Sequence, residues 1–337
     1  MKNTFDFATI LGSFGIAPTA TVKPLGDGLI NHTYVVETDG EPKYVLQQVN
    51  TDIFSNVEML HDNIDKVTDT LRKAGKTTLH FLPSVSTGKT YIEHEGRTWR
   101  VMDYIADSRT ISEVNPVTAR MTGRAIGEFE TLLAPIAEEL GETLPRFHDM
   151  EYRLEQFEDA VARDAAGRVA ELGEEIAYVR SNANRATEPE RLYRAGVLPK
   201  RVCHCDTKVS NLLFTPDGSE VKAVIDLDTV MPSLVFSDMG DFMRTAACTT
   251  AEDEPDTNKI AFRREIYDAA MEGYLETATF LSADERRLLP TAPWRFAYMQ
   301  AVRFLTDYIN GDTYYRTAYP GHNLVRTRAQ IALAKSI

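Results

Sequence analysis

The stretch Val202-Cys203-His204-Cys205-Asp206-Thr207-Lys208-Val209-Ser210-Asn211-Leu212-Leu213-Phe214 decides the reading of this chain. It offers three choices: a metal site, a catalytic loop, or a polar turn between buried segments. The metal site falls first. Cys203, His204 and Cys205 are consecutive, and successive side chains of an extended segment point to opposite faces, so they cannot converge on one ion. The paired C-x-x-C spacing usual for zinc is also absent. The two cysteines read instead as small apolar residues packed beside a strand.

The surroundings narrow the remaining choice. The chain has 337 residues, enough for a substantial core, with 37 Lys and Arg against 50 Asp and Glu and a net charge of −13. Such a surface disfavours nucleic acid or an anionic membrane as the main partner. Three cysteines suit a reducing compartment, and no apolar run approaches the roughly 20 residues of a membrane span. Near the N-terminus Asp6 interrupts the charge pattern of a signal peptide, and Ile10, Leu11 and Phe14 fit one face of a helix. A cytoplasmic protein is expected.

Residues 1–105 read mostly as strands around one helix. Two β-branched runs, 19–25 and 31–38, flank a glycine-rich tip, and a third strand follows Asp39-Gly40. Leu60, Ile64, Val67 and Leu71 repeat at helical spacing up to Gly75, and Glu95-Gly96 turns a further hairpin. After about Ala106 long helices take over. Asn115-Pro116 opens one of them, and Ser282-x-x-Glu285 caps another ahead of Pro290 and Pro293. One β patch interrupts the helices, Asn211 to Val230, with the quoted stretch at its head. The expectation is an α+β, bilobal fold. A small β-rich nucleotide-binding lobe spans 1–105, and a larger, mainly helical catalytic and substrate-binding lobe spans 106–337.

Within that frame the loop has a chemistry. His204-x-Asp206-x-x-x-x-Asn211 is followed, after a hairpin, by Asp226. Phosphoryl transfer asks little covalent chemistry of a protein, but it needs a positioned acceptor hydroxyl and magnesium. Asp206 supplies a carboxylate to take the hydroxyl proton, and Asn211 and Asp226 supply hard oxygen ligands for magnesium. Lys208 supplies positive charge beside the transferring group. Taken singly, each of these is more often a turn or capping residue, or the end of a strand. Their order along the whole chain carries the kinase reading.

With those residues the chain resembles the aminoglycoside phosphotransferase and choline kinase superfamily, of bilobal protein-kinase-like fold, over nearly its whole length. It looks most similar to bacterial N-acetylhexosamine 1-kinases. The similarity rests on GDGLINHTY (26–34), YVLQQVNTDIF (44–54), HCDTKVSNLLF (204–214), AVIDLDTVMPS (223–233), DMGD (238–241), RFLTDYINGDTYY (303–315) and YPGHNLVRTR (319–328). The resemblance implies ATP and Mg2+ as cofactors and a small-molecule sugar, GlcNAc or GalNAc, as the substrate phosphorylated at its anomeric hydroxyl. It implies Asp206 as catalytic base, Lys208 on phosphate, and Asn211 and Asp226 on magnesium. Gly26, Gly28 and Asn31 match the loop that covers the phosphates. Asp103, Tyr104 and Ile105, beside Met102, match the connector that holds the purine through its backbone. Arg303 and Tyr314 fall in the block that lines the sugar pocket, where Asp206 also meets the substrate. Asp238 or Asp241 matches a buried aspartate that braces the catalytic loop.

One position departs from the kinase pattern. Kinases carry a lysine on the third strand, paired with a helix glutamate. Here the strand has Gln47 and Gln48, and Glu58 has no evident lysine partner. The resemblance implies that the hexosamine kinases share the pattern in the form LQQ, as a subfamily trait. Two other readings stay open: a related kinase for choline, an aminoglycoside or another alcohol, and a nucleotide-binding pseudokinase.

Overall fold

Asp6 begins the folded chain by accepting the Thr9 N–H (3.1 Å), which caps helix α1 (Phe7–Gly12). This computed structural model describes residues 5–26 and 30–337. The chain divides into two compact units, Met1–Arg109 with Leu213–Asp228, and Thr110–Leu212 with Thr229–Ile337.

In the first unit, Ile10, Leu11 and Phe14 are buried, as their helical spacing predicts, against one face of a five-stranded antiparallel sheet. Its strands are β1 (Thr21–Pro24), β2 (His32–Thr38), β3 (Glu41–Val49), β4 (Ile92–His94) and β5 (Arg97–Asp103), in the order β1-β2-β3-β5-β4. Val36, Leu46, Trp99 and Val101 fill the face under α1. Side chains alternate along a strand, so Gln47 and Arg100, which are direct cross-strand partners, go to the other face. Helix α2 (Val57–Lys73) buries Leu60, Ile64, Val67 and Leu71, the residues whose spacing announces it. The hairpin of β7 (Leu212–Phe214) and β8 (Val221–Val224) also groups with this unit, although helices flank it in sequence. Arg109 and Phe214 exchange backbone hydrogen bonds at 2.9 and 2.8 Å.

The second unit is helical: α3 (Pro116–Leu133), α4 (Met150–Arg163), α5 (Gly173–Ala186), α6 (Glu188–Arg194), α7 (Phe236–Ala246), α8 (Arg264–Thr277), α9 (Ala283–Leu288), α10 (Ala292–Ile309) and α11 (His322–Ser336). The expected capping boxes form at Asn115 and Ser282. The strand reading needs a correction here. A second pair, β6 (Arg201–Cys203) with β9 (Met231–Ser233), lies among these helices, and the quoted stretch begins as β6. Each strand has only three residues and β9 contains Pro232, so neither shows a strand signature. None of the helices described is long and apolar enough to cross a membrane.

Helices α3 and α8 approach so closely that backbone meets backbone. A Cβ at Gly123 would sit 2.0 Å from the Ala270 carbonyl oxygen, and one at Gly273 2.0 Å from that of Arg120. Gly123→Ala must push the helices apart. We expect it to cost about 1–3 kcal/mol in urea unfolding, although Ala is the better helix former.

Candidate active site

Beyond β6 the chain wraps around one buried side chain. Asp238, in the first turn of α7, accepts the His204 N–H (2.7 Å) and the Cys205 N–H (2.8 Å), and its carbonyl accepts the Thr207 hydroxyl (2.6 Å). The Thr229 hydroxyl donates to the His204 carbonyl (2.7 Å). Cys205 stands at φ +63°, which a residue with a β-carbon adopts at a cost. The charge-assisted bonds to Asp238 offset that cost. Of the two aspartates in DMGD, Asp238 is therefore the one that holds the loop. Cys203 and Cys205 pack with Met231, Leu144 and Phe147 as small apolar residues, and burial pushes both thiols up.

The loop brings Asp206, Lys208 and Asn211 together. Lys208 Nζ and Asn211 Nδ2 both donate to Asp206 Oδ2 at 2.9 Å, and Asn211 Nδ2 also bonds the Asp206 carbonyl (2.8 Å). Both fixed donors act on Oδ2, which leaves Oδ1 to receive a further hydrogen. Since both partners of Asn211 are acceptors, its amide nitrogen must face them, and its oxygen is the atom left for a cation. Asp226 belongs to the first unit. It follows β8 at φ +61°, a left-handed turn that aspartate tolerates better than most residues. Asn211 in one unit and Asp226 in the other each carry an oxygen donor of the hard kind that magnesium prefers.

Beneath the loop, Glu130 of α3 faces Asp238. Tyr274 donates to Glu130 Oε2 (2.5 Å), and no donor reaches Oε1. Two facing buried carboxylates are satisfied only when one carries a proton. Burial first, and then the charge of Asp238, raise the Glu130 carboxyl well above its usual range. Asp238, with its two backbone N–H bonds, is the ionised partner. Cys203 Sγ lies within 4.8 Å of both carboxylates as a neutral thiol that donates to the Leu234 carbonyl (3.6 Å). The unfolded chain loses the Glu130 proton above about pH 4.5 while the folded chain keeps it, so this group's contribution to stability falls as pH rises through that window. Glu130→Gln is neutral at every pH. It is expected to match or exceed the wild type in stability at pH 8, with a flatter decline between pH 5 and 8 in denaturant titrations.

A second cluster in the same unit contains the expected sugar-pocket residues. Asp307, buried in α10, accepts the N–H groups of Thr313 (2.9 Å), Tyr314 (2.8 Å) and Tyr315 (2.9 Å) and so shapes the loop after that helix. Arg303 lies over the rings of Tyr314 (6.0 Å), Tyr315 (5.5 Å) and Phe147 (5.2 Å). Its side-chain bond goes to the neutral Gln300 (3.2 Å). Arg153 of α4, which the sequence reading did not single out, donates to the Phe147 carbonyl (2.6 and 3.1 Å) and to Gln156 (2.8 Å). Burial, and then the neighbouring Arg303, bring its guanidinium down to about 10. Neither arginine has a carboxylate partner among the described residues. The nearby acids Asp241 and Glu252 are both bonded to Arg244, at 3.1 and 2.5 Å. Burial raises the Asp241 carboxyl, and the negative charge of Asp206 also raises it, against the pull of Arg244. Asp206 and this cluster are thus electrostatic neighbours.

The expected nucleotide residues lie in the first unit. Gly26 is at φ +70°, where a side chain would be strained, and Gly28 lies outside the described residues. Asn31 is buried and bonds the Asn50 N–H (3.0 Å) and Asp228 Oδ2 (2.7 Å). In the connector, the N–H groups of Asp103 and Tyr104 are already used, on the carbonyls of His80 and Lys43 (both 2.9 Å). That leaves Ile105 N–H as the connector donor with no backbone acceptor among the described residues.

Comparison with known proteins agrees with this architecture. Similar solved structures include a microcompartment-associated aminopropanol kinase, 16% identical over 98% of this chain and 95% of that one, with a TM-score of 0.66. An aminoglycoside phosphotransferase from Alicyclobacillus acidocaldarius is 13% identical over 98% and 93%, TM-score 0.65. An ethanolamine kinase from Plasmodium vivax is 14% identical over 96% and 87%, TM-score 0.61. At such identities the likeness establishes the kinase-like fold, an α+β chain with a small antiparallel sheet and a helical C-terminal part. The APH profile, described as the phosphotransferase enzyme family, matches residues 21–274. With three quarters of its length inside that profile, the chain belongs to the phosphotransferase enzyme family.

Proposed function

We propose that this kinase uses ATP and magnesium to phosphorylate the anomeric hydroxyl of an N-acetylhexosamine, GlcNAc or GalNAc. Asp206 is its base. Lys208 and Asn211 pin one carboxylate oxygen, and the other takes the proton of the acceptor hydroxyl as that oxygen bonds to the γ-phosphorus and ADP leaves. Holding the hydroxyl in this orientation removes much of the entropic part of the barrier. Asn211 and Asp226 would hold magnesium, which when bound offsets charge on the phosphate oxygens. Lys208 adds a positive charge next to the same carboxylate. With a nucleotide bound, Gly26 and Asn31 would flank the phosphates, and the 103–105 connector would meet the purine with Ile105 N–H as donor.

The observation that carries the sugar reading is the pairing of Arg153 with Arg303. A pocket for an aminoglycoside needs an excess of carboxylates, and choline, which aromatic rings alone can hold, is still repelled by an excess of arginines. Here the cluster holds two arginines without acidic partners among the described residues, and Asp241 and Glu252 share the single guanidinium of Arg244, so three arginines stand against two acids. Ring-flanked guanidinium groups suit the hydroxyls and acetamido carbonyl of a neutral sugar, with Tyr314, 66% exposed, able to stack on it. The test is ADP release from ATP and magnesium with a panel of N-acetylhexosamines, other sugars, choline, ethanolamine and aminoglycosides, with product NMR. A phosphate on C1 of an N-acetylhexosamine supports the reading. Turnover confined to cationic acceptors refutes the sugar assignment, and ATP binding without turnover on any acceptor favours the pseudokinase.

A further inference from the structure

The first unit contains a buried polar chain in the region of the missing lysine. Gln47 stands on β3 where kinases place that lysine, and directly across from it on β5 is Arg100. Arg100 Nε and Nη2 both donate to Gln47 Oε1, at 3.0 and 2.7 Å, and Gln47 Nε2 donates to the Thr33 hydroxyl (3.1 Å). Arg100 Nη2 also lies 2.7 Å from Asp228 Oδ1, and the side chains of this ion pair are only 2% and 4% exposed. The other oxygen of Asp228 accepts from Asn31 Nδ2 (2.7 Å), and Asn31 in turn accepts the Asn50 N–H (3.0 Å). The Phe81 ring lies 5.2 Å from the guanidinium.

The helix carboxylate of the usual pair plays no part. Glu58 is 81% exposed and pairs with Lys89 at 3.5 Å. What α2 turns toward Arg100 is His61, buried between Phe81 and Tyr91. Burial, and then the charge of Arg100, hold its imidazole down to about 2, so it stays neutral. The carboxylate that answers the buried cation is therefore Asp228, two residues beyond Asp226.

A buried ion pair is poor value as a source of stability, since an apolar pair of the same size often serves equally well. What the pair supplies is geometry. A guanidinium has a rigid planar fork, and here its Nε and Nη2 are fixed by a neutral amide, with the same Nη2 lying against the carboxylate. That carboxylate grips the residue that ends the glycine loop. We propose that Arg100 is a positioning residue that takes over the brace of the missing third-strand lysine: through Asp228 it fixes Asn31, at the entry to β2, for nucleotide binding. This rests on the kinase reading above. Gln47 is then a part of the brace, aligning the arginine, and its lack of charge is a requirement: a lysine there would put a second cation beside Arg100.

The test compares MgADP with adenosine by calorimetry on the full chain, with ATP turnover alongside. Arg100→Met is expected to weaken MgADP by about tenfold or more while adenosine binding stays within about twofold. Arg100→Lys should recover part of the loss. So should Gln47→Lys with Arg100→Met, which moves the cation to the strand where other kinases carry it. A lowered melting temperature with an unchanged ratio of MgADP to adenosine affinity would mean that Arg100 only stabilises the sheet, and would overturn the proposal. Should Arg100→Met not fold, the near-isosteric Asp228→Asn is read in the same way: a fall in the ratio supports the brace and an unchanged ratio overturns it. A wild-type protein that binds no MgADP would defeat the kinase reading itself and this proposal with it. The two failures are thereby distinguishable.

Discussion

Asp206→Asn is expected to lower kcat by about a thousandfold or more while ATP affinity stays near that of the wild type. The substitution keeps the shape of the side chain. The amide oxygen can still accept from Lys208 and Asn211, so the loop should hold its conformation. The amide nitrogen then faces the acceptor and donates a hydrogen where the mechanism needs one taken away. General-base contributions of this kind run to about 10²–10⁴-fold. Stopped assays give kcat, and calorimetry with a non-hydrolysable nucleotide gives affinity. Turnover that persists within tenfold of the wild type would show that another group takes the proton. A parallel loss of ATP binding would show that Asp206 maintains the nucleotide site and is not the base.

Asp238→Ala is expected to produce the largest loss of stability in the second unit, about 3–5 kcal/mol, together with loss of activity. The change removes an ionised acceptor from two buried N–H groups, each bond of which is worth roughly 1.5–3 kcal/mol. It also removes the compensation for the left-handed Cys205 and the acceptor of the Glu130 proton. Asp238→Asn keeps one acceptor oxygen and should cost about half as much. Denaturant midpoints of the two variants, set beside Glu130→Gln, test the arrangement. If Asp238→Ala unfolds at the wild-type midpoint, the loop is held by something else. If Glu130→Gln is as damaging as Asp238→Ala, the proton has been assigned to the wrong carboxylate.

Where local chemistry sets structure, the sequence was a sufficient guide. The spacing of Ile10, Leu11 and Phe14 announces the helix that covers the sheet, and Asn115 and Ser282 announce the caps that form. Asp206, Lys208 and Asn211 lie within six residues, so a single turn is enough to bring them together. The β6–β9 pair escaped notice because three-residue strands are too short for a period to show, and a proline removes one from suspicion. The missing lysine was visible as Gln47, but not what accompanies it.

What the sequence by itself determined is the order of the elements, their capped ends and the local grouping of Asp206, Lys208 and Asn211, because those depend on neighbours along the chain. Only the tertiary structure decided which aspartate of DMGD holds the loop, that Arg153 joins Arg303, and that Arg100 meets Asp228. Read along the chain, Arg100 and Arg153 look like ordinary surface charges. In the fold Arg100 is enclosed by Gln47, Phe81 and Asp228, and Asn31 reaches Asp228 across 197 residues. A charge leaves water only where a partner is already in place to receive it, and partners so distant in sequence are chosen by the packing of the whole sheet.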